Sequence, residues 1–282
     1  MTAALALGSA ATWGGGDFSG AMGVKAAGGS AAGALRVVML AHASSLAVLL
    51  AICLLTHAPV PHGVPLAWGV IAGVTAGVSL TAFYIALSRG TMGPSAAVSG
   101  LLAAAIPAAV SSWLDGAPSP LKIAGFIVAA IAIWAIAAGE AHDTPGTMAL
   151  AVVGGLGFGI YFTALRLANP LGVFEPMALA RAASLVTCAV LFLFMRRQDR
   201  APARLTSLAV LWAMGVALLD SGGNLLFLAA TRTGRLDVAA VLASLYPAGT
   251  ILLAAWHLHE RPTRRQLAGM GIALVAVVLV TL

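Results

Sequence analysis

Two stretches, Leu114–Ile133 (LDGAPSPLKIAGFIVAAIAI) and Leu258–Val277 (LHERPTRRQLAGMGIALVAV), decide how this chain is read. They lie 144 residues apart and align without gaps, with six of twenty positions identical, among them Pro118/Pro262 and Gly125/Gly269. The same shift puts Gly15 on Gly159, Phe18 on Phe162 and Ser19 on Thr163. A shift of 143 aligns Ala86-Leu87-Ser88-Arg89 with Ala229-Ala230-Thr231-Arg232, and a shift of 145 aligns Arg36 with Arg181. Arginine and proline matches at nearly one offset mark an internal repeat, with halves at 1–140 and 145–282.

The solvent of these halves follows from composition. Of 282 residues, 61% are hydrophobic and 9% charged, against about 25% charge in an average soluble domain. Such a chain cannot cover a water-facing surface, so it reads as a polytopic, all-α membrane protein. The net charge of +6 is spread thinly, with no basic tract or basic-aromatic stripe, which argues against nucleic acid as a partner. Cys53 and Cys188 lie inside apolar runs, so neither a disulfide framework nor a thiolate metal site is expected. His57, His62 and His142 fall in loops, His257 and His259 flank the last loop, and His42 alone lies in a span. No metal site follows from that pattern.

A helix needs about 20 mostly apolar residues to cross the hydrocarbon. Ten stretches qualify, near 3–24, 31–55, 66–88, 93–114, 120–139, 146–167, 176–195, 207–230, 236–256 and 263–282. The first lacks a basic leader and reads as a true helix rather than a processed signal. The longest polar connection is Arg196–Arg204. Loops after odd stretches hold nine Lys and Arg (Lys25, Arg89, Arg196, Arg197, Arg200, Arg204, Arg261, Arg264, Arg265). Loops after even stretches hold four (Lys122, Arg166, Arg232, Arg235). The charge rule then places both termini outside.

Five crossings end on the side opposite their start, so the second half must insert upside down. Inverted repeats of this kind are a common transporter architecture, with a substrate site near the midplane and alternating access between the halves. No Gly-x-Ser-x-Gly, His-Glu-x-x-His or phosphate-binding loop is present, so ATP-driven transport and other hydrolysis have no support, and no cofactor is expected. A channel would want a ring of like charges or a carbonyl-lined filter, and none repeats.

Ionisable groups at membrane depth are costly and mark candidate functional sites. Four qualify, and their signs balance: Asp17, Arg36, Arg181 and Asp220. At about 1.5 Å per residue, Asp17 near the end of the first stretch and Arg36 near the start of the second lie at similar depth. Arg181 and Asp220 offer the corresponding arrangement in the second half. These residues read either as structural ion pairs or as a cavity-lining acid that takes a proton and an arginine that holds a carboxylate. Asp220 is the leading coupling residue, because Asp220-Ser221-Gly222-Gly223-Asn224 predicts a loosened helix whose backbone, with Asn224, coordinates a ligand. Glycine clusters at Gly14–Gly16, at Gly69/Gly73/Gly77 and at Gly154/Gly155/Gly157/Gly159 read as close helix packing. Pro107 and Pro247 fall mid-span and predict kinks or hinges. Trp13 lies well inside a span, and Tyr84 and Tyr246 offer buried hydroxyls to a bound metabolite.

The chain resembles the ten-helix, EamA-type members of the drug/metabolite transporter superfamily. The resemblance rests on Trp13-Gly14-Gly15-Gly16-Asp17-Phe18, Arg36, Arg181, Ala229-Ala230 and Pro247. It also rests on His259-Glu260-Arg261-Pro262 through Gln266-Leu267-Ala268-Gly269, which is similar to a Gly-Glu-Arg then Gln-x-x-Gly pattern. His259 stands where Gly is usual, and Gly116 takes the Glu position in the first half. The resemblance implies ten helices, a secondary transporter of the bacterial-type inner membrane, and export of a small metabolite, with amino acids first among the substrates. It also implies both termini inside, opposite to the loop-charge count. The expected partners are a small-molecule substrate, the lipid bilayer and, where transport is coupled, protons; a monomer is expected. Two other readings stand beside it. One is an uncoupled facilitator. The other is an intramembrane aspartyl protease using Asp17, in Gly14-Gly15-Gly16-Asp17, and Asp220. Against the protease, no Pro-Ala-Leu occurs, the motif acid comes first in the chain, and each Asp has a nearby candidate Arg.

Overall fold

The apolar stretches form helices. The structure, a computed structural model, describes residues 1–60, 62–89, 92–137, 146–169, 172–195, 204–259 and 263–281. Among these residues there are eleven α-helices and no strand. The first five are α1 (Thr2–Ala26), α2 (Ala31–Leu55), α3 (Gly63–Arg89), α4 (Met92–Leu114) and α5 (Pro120–Ala137). The others are α6 (Thr147–Leu167), α7 (Phe174–Met195), α8 (Ser207–Thr233), α9 (Leu236–Ala243), α10 (Tyr246–His257) and α11 (Arg264–Thr281).

Local chemistry sets their starts. Ser30 accepts from the Gly33 N–H at 3.0 Å to open α2, and Thr206 accepts from the Ala209 N–H at 3.1 Å to open α8. Thr263 and Gln266 cap α11 reciprocally, each side chain accepting from the other's N–H. Inside the helices, Ser19, Thr81 and Thr163 donate back to the carbonyls of Gly15, Gly77 and Gly159. Hydrocarbon offers such hydroxyls no water, so the helix itself must accept them. The outer faces expose Val48, Leu54, Val186, Leu218 and Leu274, a surface suited to lipid rather than to water.

Among the described residues seven helices are long and apolar enough to cross a membrane, counting Leu236–His257 as one, and Pro120–Ile136 is a shorter apolar helix. The ten expected stretches therefore do not read alike. Among the described residues α1, diluted by Gly14–Gly16 and Asp17, and α11 are not in that group. The ninth stretch is also not one helix. It breaks at Ser244–Leu245, and Pro247 sits in the first turn of α10, where its missing N–H has no helical partner to lose. Pro107, its expected counterpart, lies inside an unbroken α4.

Packing follows the small residues. α1 lies along α8, α3 along α6 and α7, α4 along α6, α2 along α7, and α5 along α11. Gly69, Gly73 and Gly77 present one face of α3 to Leu179, Ala180 and Ser184 of α7. At Gly73 an added Cβ would come within 2.5 Å of the Ala183 Cβ and 3.0 Å of the Ser184 N, both rigid parts of the neighbouring helix. Gly73→Val is therefore expected to destabilise by about 1–3 kcal/mol or more, read as a lower unfolding midpoint in detergent. Gly271 has nothing within 4 Å of its Cβ position, and Gly271→Ala should leave that midpoint unchanged or slightly raised.

Candidate functional site

The buried charges meet where α2, α7 and α8 touch. Arg181 of α7 is 1% exposed, the largest fully enclosed side chain among the described residues. Its Nη2 donates to Oδ2 of Asp220 and, at 3.4 Å, to the Ser221 hydroxyl. Its Nη1 lies 2.6 Å from Nε2 of His42. A guanidinium can only donate, so Nε2 must accept. That fixes His42 as the neutral tautomer with its proton on Nδ1, which donates to the Ser184 hydroxyl 2.7 Å away.

On its other side Asp220 is held by Asn224, whose Nδ2 donates to the Asp220 carbonyl at 2.7 Å and to Oδ1 at 3.0 Å. The Tyr161 hydroxyl of α6 closes the chain on Asn224 Oδ1 at 2.8 Å. One polar network thus runs Ser184–His42–Arg181–Asp220–Asn224–Tyr161 across four helices. The loosened helix expected at Asp220–Asn224 is not seen: α8 runs unbroken from Ser207 to Thr233. Asn224 closes the turn back onto Asp220, and the bare Cα of Gly223 makes room for Trp13, whose Cδ1 would lie 2.5 Å from a Cβ there.

Asp220, Asn224 and Tyr161 line a cavity together with Asp17. Its remaining wall is aromatic and apolar, made by Trp13, Phe158, Phe162, Tyr246 and Leu80. The Trp13 indole stacks on Phe162 with centroids 4.7 Å apart at 9°, and Tyr246 meets it edge-on at 6.4 Å. The space left open to water centres is about 20 Å³, room for one or two waters. A larger solute enters only if the helices part.

Not every expected residue comes to this cavity. The Asp17–Arg36 pair does not form. Arg36 lies over the Phe192 ring of α7 at 5.1 Å, because α2 packs along α7 far more than along α1. Among the described residues Asp17 has no ion pair or hydrogen bond, and the charged group that acts on it is Asp220, also a carboxylate. Tyr84 packs its ring against Gly20 behind the cavity wall, with its hydroxyl buried and unbonded. Tyr246 does line the cavity; its hydroxyl lies beside Ser99 and makes no hydrogen bond. Glu260, Arg261 and Pro262 of the loop before α11, with Arg196, Arg197, Arg200 and His142, lie outside the described residues. The proton-sharing contact a protease would need is not made, since both Asp220 oxygens are engaged by Arg181 and Asn224.

Three participants were missed by sequence reasoning: His42, Ser184 and Tyr161. Tyr161 had a signal, because the 144-residue shift places it on Asp17, and both line the cavity. A single His and a single Ser inside apolar helices carry no such mark.

Comparison with known proteins places this arrangement. Curated proteins give no match to the sequence. Fifteen chains of solved structure match. One crystal structure, 19% identical, superimposes over 96% of this chain and 98% of its own with a TM-score of 0.66, which shows a shared fold. Residues 146–282 match the family model of the EamA-like transporter family. Over those residues the chain is similar to the EamA-like transporters, part of the drug/metabolite transporter superfamily.

Proposed function

We propose that this multi-pass protein is a secondary transporter that exports a small metabolite by alternating access between two inverted five-helix halves, 1–140 and 145–282, in a bacterial-type inner membrane. The observation that carries the reading is the cavity itself: two carboxylates, Asp17 and Asp220, buried among helices built for lipid. The packing supports the inverted halves. α1 on α8 corresponds to α6 on α3, and α4 on α6 corresponds to α9–α10 on α1. α2 with α7 and α5 with α11 join equivalent helices across the two halves. In this reading Asp220, Asn224, Asp17, Tyr246 and Trp13 contact the solute, and Arg181 balances charge. The Ser244–Leu245 break beside Pro247 is the hinge.

One observation favours a second reading. Arg181 already neutralises Asp220 without a proton, which suits an uncoupled facilitator. Uptake of a labelled amino-acid panel into proteoliposomes, with and without an imposed pH gradient, tests both. Saturable, protein-dependent uptake is expected, falling at least tenfold in Asp220→Asn. Accumulation driven by the gradient supports coupling, equal flux without it supports the facilitator, and no protein-dependent flux removes amino acids as the substrate class.

A further inference from the structure

We propose that the cavity recognises an organic ammonium cation with an apolar or aromatic body, held by Asp17 and the surrounding rings, rather than a solute presenting a carboxylate. This names the substrate class of the transporter reading and rests on it.

The first argument is which charges remain free. Asp220 is satisfied on both oxygens by Arg181 and Asn224. Arg181 is enclosed and is not a lining residue of the cavity, and among the described residues no Lys, Arg or His is. A substrate carboxylate would therefore find no free cation to receive it and would face the unpaired carboxyl of Asp17. Asp17 lines the cavity, is 7% exposed, and has no hydrogen bond or ion pair among the described residues. The titratable groups facing it are Asp220 on α8, Tyr84 on α3 and Tyr246 on α10, none of them basic. A carboxyl buried in this way either holds a proton or, when charged, sits beside a positive partner, and the described residues supply no such partner.

The second argument is the wall. Ring faces carry negative quadrupole charge and attract a cation that has left water, most strongly when the ring is indole. Trp13 sits one helical turn before Asp17 on α1 and stacks on Phe162, itself stacked at 11° on Phe158. The wall and the carboxylate together match an ammonium head beside apolar carbon. Tyr246, on the edge of the indole, begins α10 directly after the Ser244–Leu245 break, so the wall beside that break can swing to widen a cavity now sized for water.

The test compares three labelled solutes with one ring and different heads, taken up by the full chain in liposomes. They are trimethyl(phenethyl)ammonium, phenylalanine and 3-phenylpropionate. The fixed cation cannot cross lipid as a neutral amine, so its uptake reports the protein. We expect saturable uptake of the cation at least tenfold above both carboxylate-bearing solutes, lost to the empty-liposome level in Asp17→Asn. That variant removes an uncompensated buried charge, so its unfolding midpoint should equal or exceed the parent's. Asp17→Glu, which keeps the charge, should retain part of the flux. Equal or faster uptake of phenylalanine or phenylpropionate overturns the ammonium assignment and leaves the transporter reading standing. Cation uptake that survives in folded Asp17→Asn does the same. No flux of any of the three also overturns the assignment, and the transporter reading falls with it only if the wider amino-acid panel is still as well.

Discussion

Arg181→Met should lower the unfolding free energy by about 3–5 kcal/mol, the cost of stranding one member of a buried ion pair. The change leaves the Asp220 carboxylate without its counter-charge and close to a second carboxylate, Asp17. It also empties the acceptor on His42 Nε2 and removes a donor from Ser221; each buried group so orphaned costs about 1–3 kcal/mol. Asp220→Asn should cost less, for a reason visible in the charge count. Arg181 keeps His42, Ser221 and the amide oxygen as acceptors, while the local charge of Asp17, Arg181 and residue 220 moves from −1 to zero. The double variant Arg181→Met/Asp220→Leu should recover most of the loss, since a buried pair replaced by apolar groups is often neutral or stabilising. Unfolding in detergent, followed by helical signal, measures all three. If Arg181→Met unfolds with the parent, the network is not what holds α2, α7 and α8 together.

That network also shows which parts of the structure were legible in the sequence. Charges at membrane depth stand out against an apolar background, so Arg181 and Asp220 were visible as residues and near enough in chain order to be tried as a pair. Asp17 and Arg36 were equally visible, yet the proposed partnership fails, because neighbours in a helical bundle are chosen by surface shape. The glycine face of α1 fits α8 so closely that a Cβ on Gly16 would lie 3.2 Å from the Asp220 nitrogen. α2 lies along α7 instead and carries Arg36 to Phe192. The same logic explains the two prolines. Pro107 and Pro247 look equivalent by position, but the bare Cα of Gly100 lets α4 lie against the Ser244 carbonyl and the Pro247 ring. Among the described residues the break occurs in one half alone. At Gly222-Gly223 the local signal pointed to an open backbone, whereas one glycine serves Trp13 and α8 stays closed. Composition and repeat spacing thus report the solvent and the helices. Which helix faces meet is decided by atoms far apart in sequence.

Trp13→Ala should be about as damaging as the loss of Arg181, by a different route. Deleting a buried indole costs about 3–5 kcal/mol when the space cannot collapse. Here collapse is opposed on each side: Phe162 stacks on the ring, Phe227 and Tyr246 pack around it, and the Gly223 backbone forms the floor. Water drawn in by Asp17 and Asp220 would soften the loss, so the lower end of that range is expected. The slot left behind has a defined shape, which gives the prediction a positive readout. Free indole should bind the Trp13→Ala protein and raise its unfolding midpoint with concentration, adding about 2.7 kcal/mol of unfolding free energy at a hundredfold excess over its dissociation constant. The parent protein, with the slot filled, should not respond. Indole that stabilises both proteins equally would mean the ring acts elsewhere, and a folded variant indifferent to indole would mean the slot has closed. In the second case the wall around Asp17 yields rather than keeping its shape, and Trp13→Phe should then transport as poorly as Trp13→Ala. If indole rescues, the wall is preformed, and Trp13→Phe should keep most of the parent's flux because a smaller ring still covers Phe162.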